Sequence, residues 1–185
     1  MISDQDQSHT ATAGRQAFLS TTARRCLGWA AAALVSLALV TGIYLTWQKQ
    51  IRQEQLRWAQ EAARQGDFDR AITNYSEAIR LNPQGADAYY YRAYAYWKKG
   101  DLDRAITDLS EAIRLNPQDA LAYHNRGNAY SAKGDLDRAI TDLSEAIRLN
   151  PEYTLAYHNR GNAYSSKGDL DRTLADYTKA NRLRP

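Results

Sequence analysis

The chain has 185 residues, room for one ordinary domain, with 24 Lys+Arg against 21 Asp+Glu and a net charge of +3. From Gly66 to Pro185 the counts are 17 and 17, so the basic excess lies before Gly66 and the remainder lacks the clustered cations a nucleic-acid surface needs. The single cysteine, Cys26, excludes an internal disulfide and says nothing of redox compartment.

Residues 1–25 are rich in Ser, Thr, Gln and Ala with little apolar periodicity. Such a segment cannot bury enough surface to offset its ordering entropy and reads as a disordered polar tail. It ends in Arg24-Arg25 before an apolar run, a weak match to a twin-arginine signal.

Residues 26–47 carry no charge. A helix needs roughly 20 apolar residues to cross the hydrocarbon core, so this run predicts a single transmembrane helix. Trp29 lies near one end and Tyr44 and Trp47 near the other, where amphipathic rings favour the headgroup level. A cleaved signal peptide is the rival reading. Its core is shorter, about 7–15 residues, and is followed by small residues, whereas this run ends in Ile-Tyr-Leu-Thr-Trp. Arg15, Arg24 and Arg25 precede it, and Lys49, Arg52 and Arg57 follow it. The positive-inside count is a tie, so the side on which the repeats lie stays open. Cys26 sits where reversible acylation occurs in other chains; an unmodified thiol is the plainer expectation.

Residues 48–65 contain neither Pro nor Gly and are mostly strong helix formers. They predict a helical bridge continuous with the first repeat helix. Its apolar side is expected from Ile51, Leu56, Trp58, Ala59, Ala62 and Ala63.

The rest is periodic. Gly134 to Pro151 repeats Gly100 to Pro117 without a change, and variants occur at Gly66 to Pro83 and Gly168 to Pro185. The spacing is 34 residues each time. A fixed period of that length predicts stacked units, each too small to bury its apolar face without a neighbour. The expected units are 52–85, 86–119, 120–153 and 154–185. Within the third, Ala122, Tyr123, Gly127, Ala129 and Tyr130 fall at helical spacing. Gly134 ends that helix, and Asp135 or Asp137 caps the next. Ala139, Ile140, Leu143, Ala146, Ile147 and Leu149 form the apolar stripe of a second helix. Asn150-Pro151 closes the unit.

These residues resemble the tetratricopeptide repeat (TPR) family, whose pattern is Trp-x2-Leu-Gly-x2-Tyr, then Ala-x3-Phe, then Ala and Pro. The third unit matches at Tyr123, Gly127, Tyr130, Ala139, Leu143, Ala146 and Pro151. The resemblance implies an all-α fold, a right-handed superhelical solenoid of four helix-turn-helix repeats. Where the pattern has leucine, three units have arginine: Arg92, Arg126 and Arg160. Sixteen residues later stand Asp108, Asp142 and Asp176, while the first unit has Trp58 and Asn74. The two positions change together, which predicts a partly buried ion pair within each unit; two independent surface residues are the alternative.

The last unit replaces Ile147 by Asn181, Ala139 by Thr173 and Glu145 by Lys179. A more polar face suits a terminal repeat, and it also leaves a face on which another chain could pack.

The resemblance further implies that first helices line a concave groove for a peptide or partner helix. By register, the candidate groove residues are Tyr90, Tyr91, Tyr94, Trp97, His124, Asn125, Asn128, His158, Asn159 and Asn162. Asparagines bond a peptide backbone through both amide groups, and aromatic rings supply contact area. Alternatively, Asn125 and Asn159 only organise neighbouring helices. The lysines and arginine with which some family members clamp chaperone C-termini are replaced here by His124, His158, Asn128 and Asn162. Two histidines make a poor metal site, which usually needs three or four ligands. Nothing groups a nucleophile with a base, since Ser131 and Ser165 are ordinary repeat positions, and no phosphate loop occurs. No metal, cofactor or catalysis is expected. The sequence therefore reads as a membrane-anchored protein-interaction scaffold, with a self-associating repeat protein as the alternative.

Overall fold

Gly66, Gly100, Gly134 and Gly168 each have φ between 77° and 80°. That left-handed conformation costs an L-residue free energy but suits glycine, and it turns the chain sharply after a helix. At Gly134 the Asp135 amide donates to the Tyr130 carbonyl at 2.9 Å and the Gly134 amide to the Ser131 carbonyl at 2.9 Å. These bonds satisfy carbonyls left free at the helix end. The next residue then caps the following helix: the Asp135 carboxylate accepts from the Arg138 amide at 3.2 Å. Asp135, not Asp137, is therefore the cap.

A computed structural model describes residue 37 and residues 39–184. The backbone is helical over 39–64 (α1). Seven helices follow: α2 (Phe68–Leu81), α3 (Ala86–Lys98), α4 (Leu102–Leu115), α5 (Ala120–Ala132), α6 (Leu136–Leu149), α7 (Thr154–Ser166) and α8 (Leu170–Arg182). From α2 onward each helix packs on the next in sequence, and α5 also touches α7. The result is an all-α helical repeat solenoid.

The chain divides into two compact units, 1–49 and 50–185. In the first, the expected polar tail 1–25 lies outside the described residues, as do 26–36 and 38 of the expected membrane helix. Among the described residues no helix is long and apolar enough to cross a membrane. The described part of that run is helical and exposes Leu37, Leu39, Val40, Ile43, Leu45 and Trp47.

In the second unit the core is built largely from alanine, which lets helix backbones approach closely. Ala59, Ala62, Ala71, Tyr75 and Ala95 form one cluster, with Leu56 and Ala63 packed against it. Trp58 departs from the expected apolar side of α1. It is 51% exposed, because its register position is the one that in later repeats holds an arginine reaching an earlier repeat.

The expected ion pairs form in all three units. Arg126 donates from Nε and Nη2 to both Asp142 oxygens at 2.7 and 2.8 Å. Arg92–Asp108 and Arg160–Asp176 repeat this fork at 2.7–2.8 Å. Each arginine side chain is 18–19% exposed and each aspartate 7%. Hydrogen bonding to Asp142 holds the Arg126 guanidinium above its usual range. The fork geometry supplies two charge-assisted bonds in place of lost hydration. The guanidinium groups also lie over tyrosine rings, Arg126 Cζ standing 5.6 Å from the Tyr123 ring centre. Much of the tyrosine content is thereby spent on sheathing arginines.

Candidate partner-binding groove

Direct bonds run from first helix to first helix along one side of the solenoid. Asn125 on α5 donates from Nδ2 to the Tyr90 hydroxyl on α3 at 2.7 Å. Asn159 on α7 donates from Nδ2 to His124 Nε2 at 2.9 Å and to Asn128 Oδ1 at 2.8 Å. Tyr90, His124, Asn125, Asn128 and Asn159 are thus one network spanning α3, α5 and α7.

His124 is its centre, at 6% exposure. Its Nε2 faces amide donors from Asn159 and, at 3.3 Å, from Asn128. Its Nδ1 faces Asn125 Oδ1 at 3.2 Å and the Tyr153 hydroxyl at 3.1 Å. Nε2 must therefore accept, and Nδ1 carries the proton: the ring is held neutral. Burial lowers its pKa, opposed by the hydrogen bond to Asn125. The Tyr153 ring lies 4.8 Å away, centre to centre.

His158, the equivalent residue on α7, is exposed. It stands 5.4 Å from the Tyr177 ring. The Tyr177 hydroxyl donates to Asn162 Oδ1 at 2.6 Å. Asn125 and Asn159 are thus bonded to neighbouring helices of their own chain, as inter-helix struts. Among the described residues no group of three or more His, Cys, Asp or Glu is placed to hold a metal ion.

The aromatic residues of α3 are differently placed. Tyr91, Tyr94 and Trp97 are each 40–44% exposed. Tyr75 and Tyr91 stack at 6.0 Å, and Tyr90 meets Tyr91 edge-on at 5.2 Å. Burial pushes the Tyr90 hydroxyl up to about 12. Between α1 and α3 lies an open groove of about 450 Å³, lined by Gln60, Ala63, Arg64, Tyr75, Tyr90, Tyr91 and Tyr94. A tighter crevice runs between Tyr94, Trp97, Asn125 and Asn128, floored by Ala93, Leu109 and Ala129. The Lys98 ammonium lies 5.4 Å from the Tyr94 ring centre and 5.8 Å from that of Trp97. An apolar, aromatic-walled groove with a cation at its edge can take up an extended or helical segment.

Sequence reasoning missed Gln60, Arg64, Tyr153 and Tyr177. Two of these were legible. Tyr153 stands where earlier units have Asp119 and Gly85, and Tyr177 where they have Leu143 and Leu109. Gln60 and Arg64 lie in the first helix of the first unit, at the register positions of Tyr94 and Lys98, where the family's motif residues are largely missing.

Tetratricopeptide repeat models match residues 56–120, 109–141 and 155–185, and a TPR repeat model matches 127–168. A search of curated proteins gives no match. Among solved structures, a crystal structure of MamA is 29% identical, with a TM-score of 0.70 over 71% of this chain and 77% of that one. A MamA from Desulfovibrio magneticus RS-1, residue 41 to its end, is 25% identical, with a TM-score of 0.68 over 71% of this chain and 75% of that one. A thermophilic TPR protein of Thermus thermophilus is 28% identical, with a TM-score of 0.61 over 72% of this chain and 74% of that one. The repeat models together run from residue 56 to 185 without a gap, on a solenoid whose helices keep the 34-residue register, and the chain belongs to the tetratricopeptide repeat family.

Proposed function

We propose that the chain is a non-catalytic docking scaffold that holds an apolar or aromatic segment of a protein partner against α1 and α3. The observation that carries this reading is the exposed set Tyr91, Tyr94 and Trp97 beside an open groove. Large rings left in solvent on a rigid helix lose little entropy when covered, and such residues dominate binding energies. The asparagine network behind them fixes the curvature of the surface. Its members bind the partner less than they shape it. The groove follows the right-handed superhelical winding that the repeat family implies.

We further propose that residues 26–47 anchor the chain as a single-pass membrane protein, so that docking occurs near a bilayer. The charge-free run and the exposure of Leu37, Leu39, Val40, Ile43 and Leu45 support this.

A photo-crosslinking residue at Tyr94 in the full chain tests the groove in native membranes. A discrete protein adduct that Trp97→Ala removes is the expected result. An adduct pattern indifferent to Trp97→Ala, or no adduct, rejects the groove reading. Alkaline extraction of the same membranes tests the anchor, and release of the full chain into the soluble fraction rejects it.

A further inference from the structure

Three junctions between successive repeats are built alike. At each, an arginine of the later repeat donates from Nη1 to a serine of the earlier one: Arg92 to Ser76 at 2.9 Å, Arg126 to Ser110 and Arg160 to Ser144 at 3.0 Å. Seven residues on, a lysine of the later repeat meets an aspartate of the earlier one: Lys99 with Asp69, Lys133 with Asp103 and Lys167 with Asp137. Between α4 and α5, Ile113 shares an apolar cluster with Ala122.

The same register, continued to the face of α8 that no other described helix covers, finds Thr178 in place of Ser144, Asp171 in place of Asp137 and Asn181 in place of Ile147. Asp171 meets no cation among the described residues. Leu170 and Leu174 are 71% and 68% exposed there, whereas Leu136 and Ile140, one repeat earlier, are half-buried. Carried back to α1, the register finds Trp58 in place of Arg92, Gln65 in place of Lys99 and Glu54 in place of Ala88.

The two open faces match each other position by position. The Trp58 indole N–H is a donor for the Thr178 hydroxyl, as Arg92 is for Ser76. The Gln65 amide gives one hydrogen to Glu61 Oε1 at 2.8 Å and keeps a second that suits the Asp171 carboxylate, as Lys99 suits Asp69. The Asn181 amide is a donor for the Glu54 carboxylate, where the internal junction has an apolar contact. We propose that the α8 face of one copy receives the α1 face of a second copy in the register of an internal junction. Leu170 and Leu174 are then covered as Leu136 and Ile140 are. The contact is heterologous, so copies add head to tail and form a ring or an open row. Neutral Trp58 and Gln65 replace the arginine and lysine, and Asn181 replaces an isoleucine. The junction between copies is accordingly weaker than those within one chain, and reversible. This surface is separate from the groove and stands whether or not the groove holds a partner.

Site-directed cross-linking of the full chain in mild detergent tests it. In a Cys26→Ser background, Gln65→Cys and Asp171→Cys are made singly and together, and treated with a short bismaleimide. The expected result is dimer only when the two single variants are mixed, and a ladder of higher products from the double variant. Both positions lie at exposed helix ends, so helix content should be unchanged, and circular dichroism checks this. Equal dimer yield from either single variant alone overturns the proposal, because that signifies a symmetric contact. A mixture of folded variants that gives no product also overturns it, leaving the α8 face to solvent or to another protein. As a second arm, Gln65→Lys restores the internal ion pair. It should tighten association about 1.4- to 5-fold, the range an exposed pair supports. Leu174→Glu should abolish the ladder; an undiminished ladder counts against the proposed register.

Discussion

Asn159 Nδ2 donates to Nε2 of His124 across 2.9 Å, joining side chains 35 positions apart. The bond fixes the tautomer of a buried imidazole, because an amide N–H demands an acceptor opposite it. Protonating Nε2 would set donor against donor. The link between the third and fourth repeats therefore depends on His124 remaining neutral.

A pH dependence of stability follows. His124 titrates near 6.5 when unfolded, and burial lowers this in the folded state. Between the two values the unfolded chain binds more protons. Stability should be level above about pH 6.5 and fall as pH drops below it, down to the folded value. One proton limits the slope to about 1.4 kcal/mol per pH unit. Urea melts at pH 7 and pH 5 measure it, and His124→Gln should flatten the added slope. An unchanged slope in that variant would show that other groups carry the dependence.

Asn159→Ala removes the donor to both His124 and Asn128. Asn128 Oδ1 then loses its donor and His124 Nε2 keeps only the longer contact from Asn128, at 3.3 Å, which should cost about 1–3 kcal/mol. The loss should appear in thermal unfolding, with amide exchange rising first in α7 and α8.

Asp142→Ala leaves Arg126 with a single hydroxyl partner, Ser110, in a mostly buried site. The expected cost is about 3–5 kcal/mol. Arg126→Met with Asp142→Leu should cost less than the two single changes summed, since no charge is then stranded. A double-mutant cycle with no coupling would mean that the fork contributes nothing beyond its packing.

Two glycines should respond to alanine for different reasons. Gly134 has φ +80° and open space around it, so Gly134→Ala should cost about 1–2 kcal/mol through backbone strain alone. A Cβ on Gly127 would lie 2.9 Å from Leu143 Cγ and 3.2 Å from the Ala139 carbonyl. Overpacking of this kind costs about 1–3 kcal/mol. The second repeat already holds Ala93 against Leu109, so Gly127→Ala belongs at the lower end. Melting both variants beside the parent chain separates the two mechanisms.

Trp97→Ala should cost about 1–2 kcal/mol of stability, because more than half of the residue is buried. Against an identified groove partner it should cost about 2 kcal/mol or more in binding. Titration calorimetry beside a thermal melt gives both quantities.

Much of this molecule was written in its spacing. The 34-residue period fixed helix ends, because Gly134 and Pro151 act locally through backbone conformation. The co-variation of arginine with aspartate sixteen positions later announced the ion pairs, because a single chain holds three copies of the pattern and one exception. Only the tertiary structure chose between Asp135 and Asp137 as the cap, since both carboxylates have the right chemistry and only one the right φ and ψ. It alone turned the asparagines inward. Asn125 and Asn159 lie on the groove side by register, and whether they meet a ligand or a neighbour depends on how near the next helix stands. It also left Trp58 in solvent although its own helix reads as apolar there, because burial at that position comes from an adjoining repeat rather than from local sequence.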